Sequence, residues 1–471
     1  MDASEKPLLK IARDRLLTVE VASRNKALRT QLDEVLSSRS WAATKPLRAL
    51  SDWLRRHQGS EPWRPSPLQP AESGELVEIR HQNVTFPGMS QPRRWLIDVT
   101  DLAHHEFRGG VQRVSRALLV EWLIEAPTDA LIEPVRLAAG GGYCHARRFL
   151  AKTLGVSASQ FGADIPLAPQ ATDVFIGLDL VRDYADHYRD ALVDLRLAGV
   201  DITVLTHDVL PLMHPDWFPA GTASAFEAWF KVVAEHANRM LCISEQTRND
   251  IGEALRARAL SVPIDGLHCF PLGADLPQWP AETSSVTDTR AGFRILSVGT
   301  LETRKGYADV LQAVEQLWQA GIEVDWTIVG GPGWGVDGLI DRLRRHPESG
   351  QRLHWLEDVD DAQLSMLYQS CDLLVQASYG EGYGLPIAEA AAAGLSLLVR
   401  DIPVFREVAA SDAEYFGGPD GPTLEQALLA LRVDKARKRP SRVRETWFDS
   451  ARAFSGIVST SIANRTRNES E

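Results

Sequence analysis

The chain has few cysteines, no long apolar run and no excess of positive charge, and each shortage removes a class of function. Its four cysteines, Cys144, Cys242, Cys269 and Cys371, lie far apart and form no Cys-x-x-Cys pair. That excludes a disulfide-framed small domain and a thiolate zinc site, and suits a reducing compartment. No stretch approaches the roughly 18–20 apolar residues of a transmembrane helix. The start, from Met1 to Pro7, lacks the basic-then-apolar order of a signal peptide. A formal net charge of −12 argues against general nucleic-acid binding, which needs clustered Lys and Arg to meet phosphates. No Asp or His cluster with metal-ligand spacing is evident. The expectation is a cytoplasmic protein, either free or peripheral on the inner face of the cytoplasmic membrane.

What is present is an ordinary globular composition, 44% hydrophobic and 24% charged over 471 residues, enough for two or three cores. Residues 1–90 read as a polar helical extension ending in a Pro-rich linker (Glu61 to Pro70). From Trp95 onward, short apolar strands alternate with amphipathic helices. Strands are expected near 95–99, 173–176, 202–205 and 239–243, with a helix from Gly109 to Leu123. The pattern pauses over 276–292 and restarts with strands near 293–298, 324–329, 372–376 and 396–399. Helices follow over 306–320 and near 336–345. Alternation of this kind predicts an α/β fold with parallel sheets covered on both faces. The expected domains are 91–275 and 293–440, with a C-terminal helix in 441–471 packing back on the first. Open parallel sheets bind ligands at the C-terminal ends of their strands, so two facing domains make a cleft.

The richest stretch runs from Ser378 to Glu389, Ser-Tyr-Gly-Glu-Gly-Tyr-Gly-Leu-Pro-Ile-Ala-Glu. Gly380, Gly382 and Gly384 permit a sharp turn and a close ligand. Pro386 suits a first helical turn, whose free N–H groups attract an anion such as a diphosphate. Glu381 is expected in the loop at the mouth of the site. Glu389 is expected just inside the helix, ready to accept hydrogen bonds from hydroxyl groups. Two such glutamates can also simply favour a helix N-terminus.

Other strand ends carry compatible chemistry. The 293–298 strand leads into Gly299-Thr-Leu-Glu-Thr-Arg304-Lys305-Gly306, where Arg can fork phosphate oxygens and Lys acts as a point charge. The loop from Val329 to Gly335, with Gly331 and Trp334, is either a plain turn or backbone packed against a nucleotide base. Gly109 and Gly110 open a helix, and His207 with Asp208 ends the strand near 202–206. Ser244 reads as a helix cap, and Gly273 with Asp275 as the hinge between domains.

Taken in order, these segments resemble the retaining, nucleotide-sugar-dependent glycosyltransferases of family 4, which have the GT-B fold. The resemblance is strong from about 293 to 410 and moderate from 95 to 275. It implies Glu381, His207, Arg304 and Lys305 as catalytic residues. It implies Glu389, Gly109, Gly110, Gly299, Gly331, Gly384, Leu385 and Pro386 as donor-binding, with Glu389 on the ribose hydroxyls. It implies front-face attack rather than a glycosyl-enzyme. The expected reaction moves a hexose or deoxyhexose, from GDP-mannose as first guess, to a lipid-linked or growing surface polysaccharide, with no cofactor and no metal. An epimerase acting on the nucleotide sugar and a non-catalytic scaffold are the competing readings.

The extension offers two further expectations. Over 41–56, Leu47, Leu50, Trp53 and Leu54 share a helical face flanked by Lys45, Arg48, Arg55 and Arg56, which suits an anionic membrane surface. Packing on the catalytic body is the competing reading there. Residues 8–36 could instead support self-association as a coiled coil.

Overall fold

Continuous buried apolar runs, rather than alternating ones, make most of the strands, as sheets covered on both faces require. The structure is a computed structural model. It describes residues 93–104, 109–128, 130–155, 157, 162–178, 180–181, 185–275, 292–433 and 444–468. The readings made on 1–90, including 8–36 and 41–56, and most of the interdomain linker lie outside the described residues.

The first domain is a seven-stranded sheet. Its strands are β1 (Arg93–Asp98), β2 (Ala130–Leu137), β3 (Tyr143–His145), β4 (Val174–Gly177), β5 (Asp201–Thr206), β6 (Arg239–Cys242) and β7 (Leu267–Cys269). They lie in the order β3-β2-β1-β4-β5-β6-β7, and only the β2–β3 pair is antiparallel. The second domain has β8 (Phe293–Val298), β9 (Val324–Val329), β10 (Leu353–Leu356), β11 (Leu373–Gln376), β12 (Ser396–Arg400) and β13 (Ala413–Phe416). Its order is β10-β9-β8-β11-β12-β13, all parallel.

Both sheets reverse their order of growth once, between β1 and β4 and between β8 and β11. A crevice opens at such a switch point, because the flanking loops leave in opposite directions. The loops after β1 and β4 flank one such point and those after β8 and β11 the other, and they carry most of the residues singled out above.

The cores fill with large rings. Phe175, Tyr188, Trp229 and Phe230 pack under the first sheet. Trp326 is fully buried in the second, where its indole N–H donates to Ser297 Oγ at 3.1 Å. That hydroxyl in turn donates to the Val375 carbonyl at 2.9 Å, so both the Trp326 and the Ser297 donors are satisfied.

The helices needed below are α1 (Gly110–Ile124), α2 (Glu245–Ala257), α3 (Asp361–Ser370), α4 (Leu385–Ala392) and α5 (Trp447–Asn468). Helix α5 returns to the first domain and packs on α1. Trp122 meets Phe454 edge-on at 5.1 Å and donates to Ser455 Oγ at 3.0 Å. The return is tight at its start. A Cβ on Gly273 would lie 2.4 Å from the Trp447 nitrogen, and Asp275 accepts that N–H at 2.6 Å.

Candidate active site

The left-handed backbone of Gly306 (φ +68°) ends a short turn, Thr303–Lys305, in the loop that follows β8. A Cβ there would sit 2.2 Å from the Ala377 carbonyl oxygen. Only glycine lets this turn press against the loop leaving β11. The close approach aims Arg304 and Lys305 at that loop. Lys305 Nζ donates to Glu381 Oε1 at 2.5 Å. Arg304 donates to Glu381 Oε2 at 3.0 Å and to the Gly380 carbonyl at 3.1 Å. Ser378 Oγ adds a bond to Oε1 at 2.8 Å.

Glu381 lies in the loop after β11, as expected, with its side chain 10% exposed. Burial pushes its carboxyl up, but Lys305 and Arg304 outweigh burial and hold it down at about 2. Burial likewise disfavours the Arg304 cation. Glu381, Glu302 and Asp208 more than offset that, so its affinity for the proton rises. The two cations read from sequence as phosphate ligands are already paired in this structure.

Gly384 (φ +99°) caps α4 in the left-handed region, with Pro386 in the first turn and no side chain capping the helix. Leu385 and Pro386 start the helix; Pro386 brings no N–H, and Ile387 donates its own to the Gly384 carbonyl at 2.9 Å. One turn further in, Glu389 is 3% exposed. Its Oε2 accepts the Tyr368 hydroxyl at 2.9 Å, and its Oε1 faces Arg113 Nη1 at 3.1 Å. Burial raises its pKa, and Arg113 and Tyr368 only partly oppose that. Gly299 (φ +142°) and Gly330 (φ +145°) bring the β8 and β9 exits together, while Gly331 has open space where a Cβ would stand.

In the first domain, Gly109 is the N-cap of α1, and Gly110 has no atom within 4 Å of a notional Cβ. His207 follows β5 and is 9% exposed. Its Nε2 lies 3.1 Å from the Leu178 carbonyl, and burial pushes its pKa down to about 4. The imidazole is therefore neutral near pH 7, with Nε2–H as the donor.

The backbone of His207, rather than its ring, meets the glutamate loop. A Cβ on Gly382 would fall 2.2 Å from the His207 carbonyl oxygen. Ser244 Oγ and Thr247 Oγ1, at the start of α2, donate to the Gly382 carbonyl at 2.7 and 3.0 Å. Gly380 backs onto the Trp217 ring, 2.7 Å from its notional Cβ. Trp334, in the loop read from sequence as either a plain turn or backbone packed against a nucleotide base, donates its indole N–H to the Trp217 carbonyl at 2.8 Å.

The fold therefore gathers Glu381, Arg304 and Lys305 in one cluster and places the His207 backbone against their loop. Glu389 forms a second cluster with Arg113 and Tyr368. Sequence reasoning passed over Arg113, Tyr368 and Trp217. Arg113 stood one turn after the Gly109–Gly110 pair, and that position was the available signal. Among the described residues no group of three or more His, Cys, Asp or Glu is placed to hold a metal ion, and no helix is long and apolar enough to cross a membrane.

Residues 289–435 match the family described as Glycosyl transferases group 1. Over 373 residues the chain is 35% identical to the serotype-specific mannosyltransferase WbdA of Escherichia coli, a match covering 76% of this chain and 44% of that protein. It is 26% identical over 235 residues to O-antigen chain mannosyltransferase B of Escherichia coli, covering 48% of this chain and 59% of the relative. The chain spans about half the length of the curated relatives it matches. Among solved structures, Anabaena HepE in complex with UDP and glucose superposes with a TM-score of 0.52 at 14% identity, covering 80% of this chain and 100% of that one. The likeness is one of fold, two Rossmann-like domains in the GT-B arrangement.

Proposed function

The chain carries a glycosyl transferases group 1 domain at residues 289–435, and from that premise we propose a retaining glycosyltransferase that acts on a nucleotide sugar. It moves a hexose or deoxyhexose, from GDP-mannose as first choice, to a growing surface polysaccharide or its lipid-linked precursor. The names of the two bacterial mannosyltransferases support the sugar and the product class. The observation that carries the reading is the convergence of the β8 and β11 loops on Glu381, Arg304 and Lys305 at the switch point of the second sheet.

The barrier lies in breaking the anomeric C–O bond. The bonding pair leaves with the diphosphate oxygen, which gains negative charge. Arg304, Lys305 and the N-terminus of α4 stabilise that charge. Glu381, ionised under all working conditions, offsets the positive charge that grows on the sugar ring. The acceptor hydroxyl attacks from the face the diphosphate leaves, and its proton passes to the departing diphosphate oxygen. Neutral His207 assists on the other side of the sugar. Glu389 receives the ribose hydroxyls. Arg304 and Lys305 supply two cations for the phosphates, so the reaction proceeds without a metal and persists in a chelator. Residues 41–56 bring the enzyme to an anionic membrane at its cytoplasmic face, where a lipid-linked acceptor would lie.

A donor screen tests the reading. Purified protein is incubated with a panel of nucleotide sugars and a membrane-lipid extract, and released nucleoside diphosphate is quantified. The expected result is release from one donor that disappears in Glu381→Ala. Release from no donor sinks the proposal.

A further inference from the structure

Arg113 makes a contact between the two domains that the proposed chemistry does not use. It projects from α1 of the first domain and reaches two acids of the second. Its Nη1 lies 3.1 Å from Glu389 Oε1, and its Nη2 lies 3.2 Å from Asp361 Oδ1. The acids are unlike each other: the Glu389 side chain is 3% exposed and that of Asp361 is 60% exposed. Asp361 starts α3, the helix that also supplies Tyr368 to Glu389.

A buried carboxylate needs charge compensation and its lone pairs filled. Tyr368 serves one oxygen of Glu389 and Arg113 the other. A ribose diol asks for the same thing from Glu389 as a guanidinium does, since each offers a pair of hydrogen-bond donors to a carboxylate. The two therefore compete for Oε1.

We propose that Arg113 is a ribose mimic, occupying Glu389 in the donor-free protein and giving way when the nucleotide diol arrives. The inference rests on the proposed function, because it takes Glu389 to be the ribose ligand. It adds a consequence that reading lacks. Donor entry breaks the contact that Arg113 of α1 makes with Glu389 of the second domain. The apparent affinity for donor is lowered by the fraction of protein in which Arg113 holds the site.

The test is nucleoside diphosphate binding by calorimetry, with GDP and UDP as probes and the 2′,3′-dideoxy forms as controls. Wild type is compared with Arg113→Met and Asp361→Asn. The second variant loosens Arg113 from an exposed site and leaves Glu389 with its counter-charge, so it keeps the test sound if Arg113→Met folds poorly. Asp361→Asn is expected to bind the ribose nucleotide about 5-fold more tightly or better, the low end of ordinary site coupling. Arg113→Met is expected to do the same, and neither variant to change affinity for the dideoxy form. Unchanged or weaker ribose nucleotide binding in a folded Asp361→Asn protein overturns the inference alone and makes Arg113 a strut or a direct donor ligand. Equal tightening of both nucleotide forms overturns it too, since the hydroxyls would then play no part. Absence of nucleotide binding by wild type and both variants overturns the proposed function, and this inference with it.

Discussion

Glu381 and Lys305 leave neighbouring parallel strands on separate loops and meet at 2.5 Å. With Arg304 on its other oxygen, the carboxylate is held ionised down to about pH 2. A folded-state pKa below the ordinary 4.5 means that the pairing stabilises the fold fully above pH 4.5 and stops doing so as pH falls through about 2. Any acid limb of the activity profile near pH 4 to 6 therefore belongs to another group.

Lys305→Ala removes one cation from the place where diphosphate charge develops. The turnover number is expected to fall roughly 100- to 1,000-fold, with a smaller change in KM, measured as nucleoside diphosphate released from the preferred donor. Lys305→Arg keeps the charge and should retain part of the rate. A Lys305→Ala enzyme within threefold of wild type would remove this residue from the mechanism.

His207 has its pKa lowered from 6.5 to about 4, so the unfolded chain takes up its proton first. Stability from keeping this ring neutral is present above pH 6.5 and is lost as pH falls towards 4. The loss amounts to about 3 kcal/mol at most. His207→Gln can still donate to the Leu178 carbonyl but has nothing to titrate. Melting curves from pH 7.5 to 4 should show wild type losing more stability than the variant across that window. His145 is lowered to about 4 as well and persists in both proteins, so it cancels in the comparison. Parallel curves would contradict the buried, neutral assignment.

Gly306→Ala combines a left-handed backbone with a contact to the Ala377 carbonyl that a Cβ cannot share. The backbone alone should cost about 1–3 kcal/mol. Relief of the clash would move Arg304 and Lys305 away from Glu381. Denaturant unfolding should show the loss of stability, and activity at a temperature where the variant is folded should also drop. A variant with wild-type stability would mean that the turn has room the structure does not show.

Phe454 is fully buried and touches both Trp122 and Phe270 edge-on at 5.1 Å. Phe454→Ala is expected to destabilise by about 3–5 kcal/mol, measured by thermal or denaturant unfolding. A loss under 1 kcal/mol would show that α5 contributes little to holding the first domain.

Several strands were legible in the chain because both faces of a parallel sheet are covered. Phe293–Val298 and Val324–Val329 read as strands for that reason, and so do Leu373–Gln376 and Ser396–Arg400. The strands passed over lie mostly towards the edges or carry a contrary signal. Pro134 interrupts β2, and proline argues against a strand interior. Tyr143–His145 spans three residues, and Leu353–Leu356 is half in solvent. The Gly-rich loop identified Glu381, yet its burial depends on the turn at Gly306 fitting under Ala377, which no local pattern reveals. Arg113 and Asp361 stand 248 positions apart. Their meeting is a product of two sheets facing one another, and no spacing rule in the chain announces it.

The chain passes between the two domains at the 270–275 segment and comes back at 444–447. The two passes touch, with Ala274 N–H donating to the Glu445 carbonyl at 3.0 Å and Gly273 wedged against Trp447. A single connecting strand works like a string, letting the bodies swing and twist. Two strands fastened side by side work like a door on two pins, with one swing direction left free and torsion resisted. A side chain at position 273 would spread those pins apart, so the smallest residue in the chain keeps the door hung true.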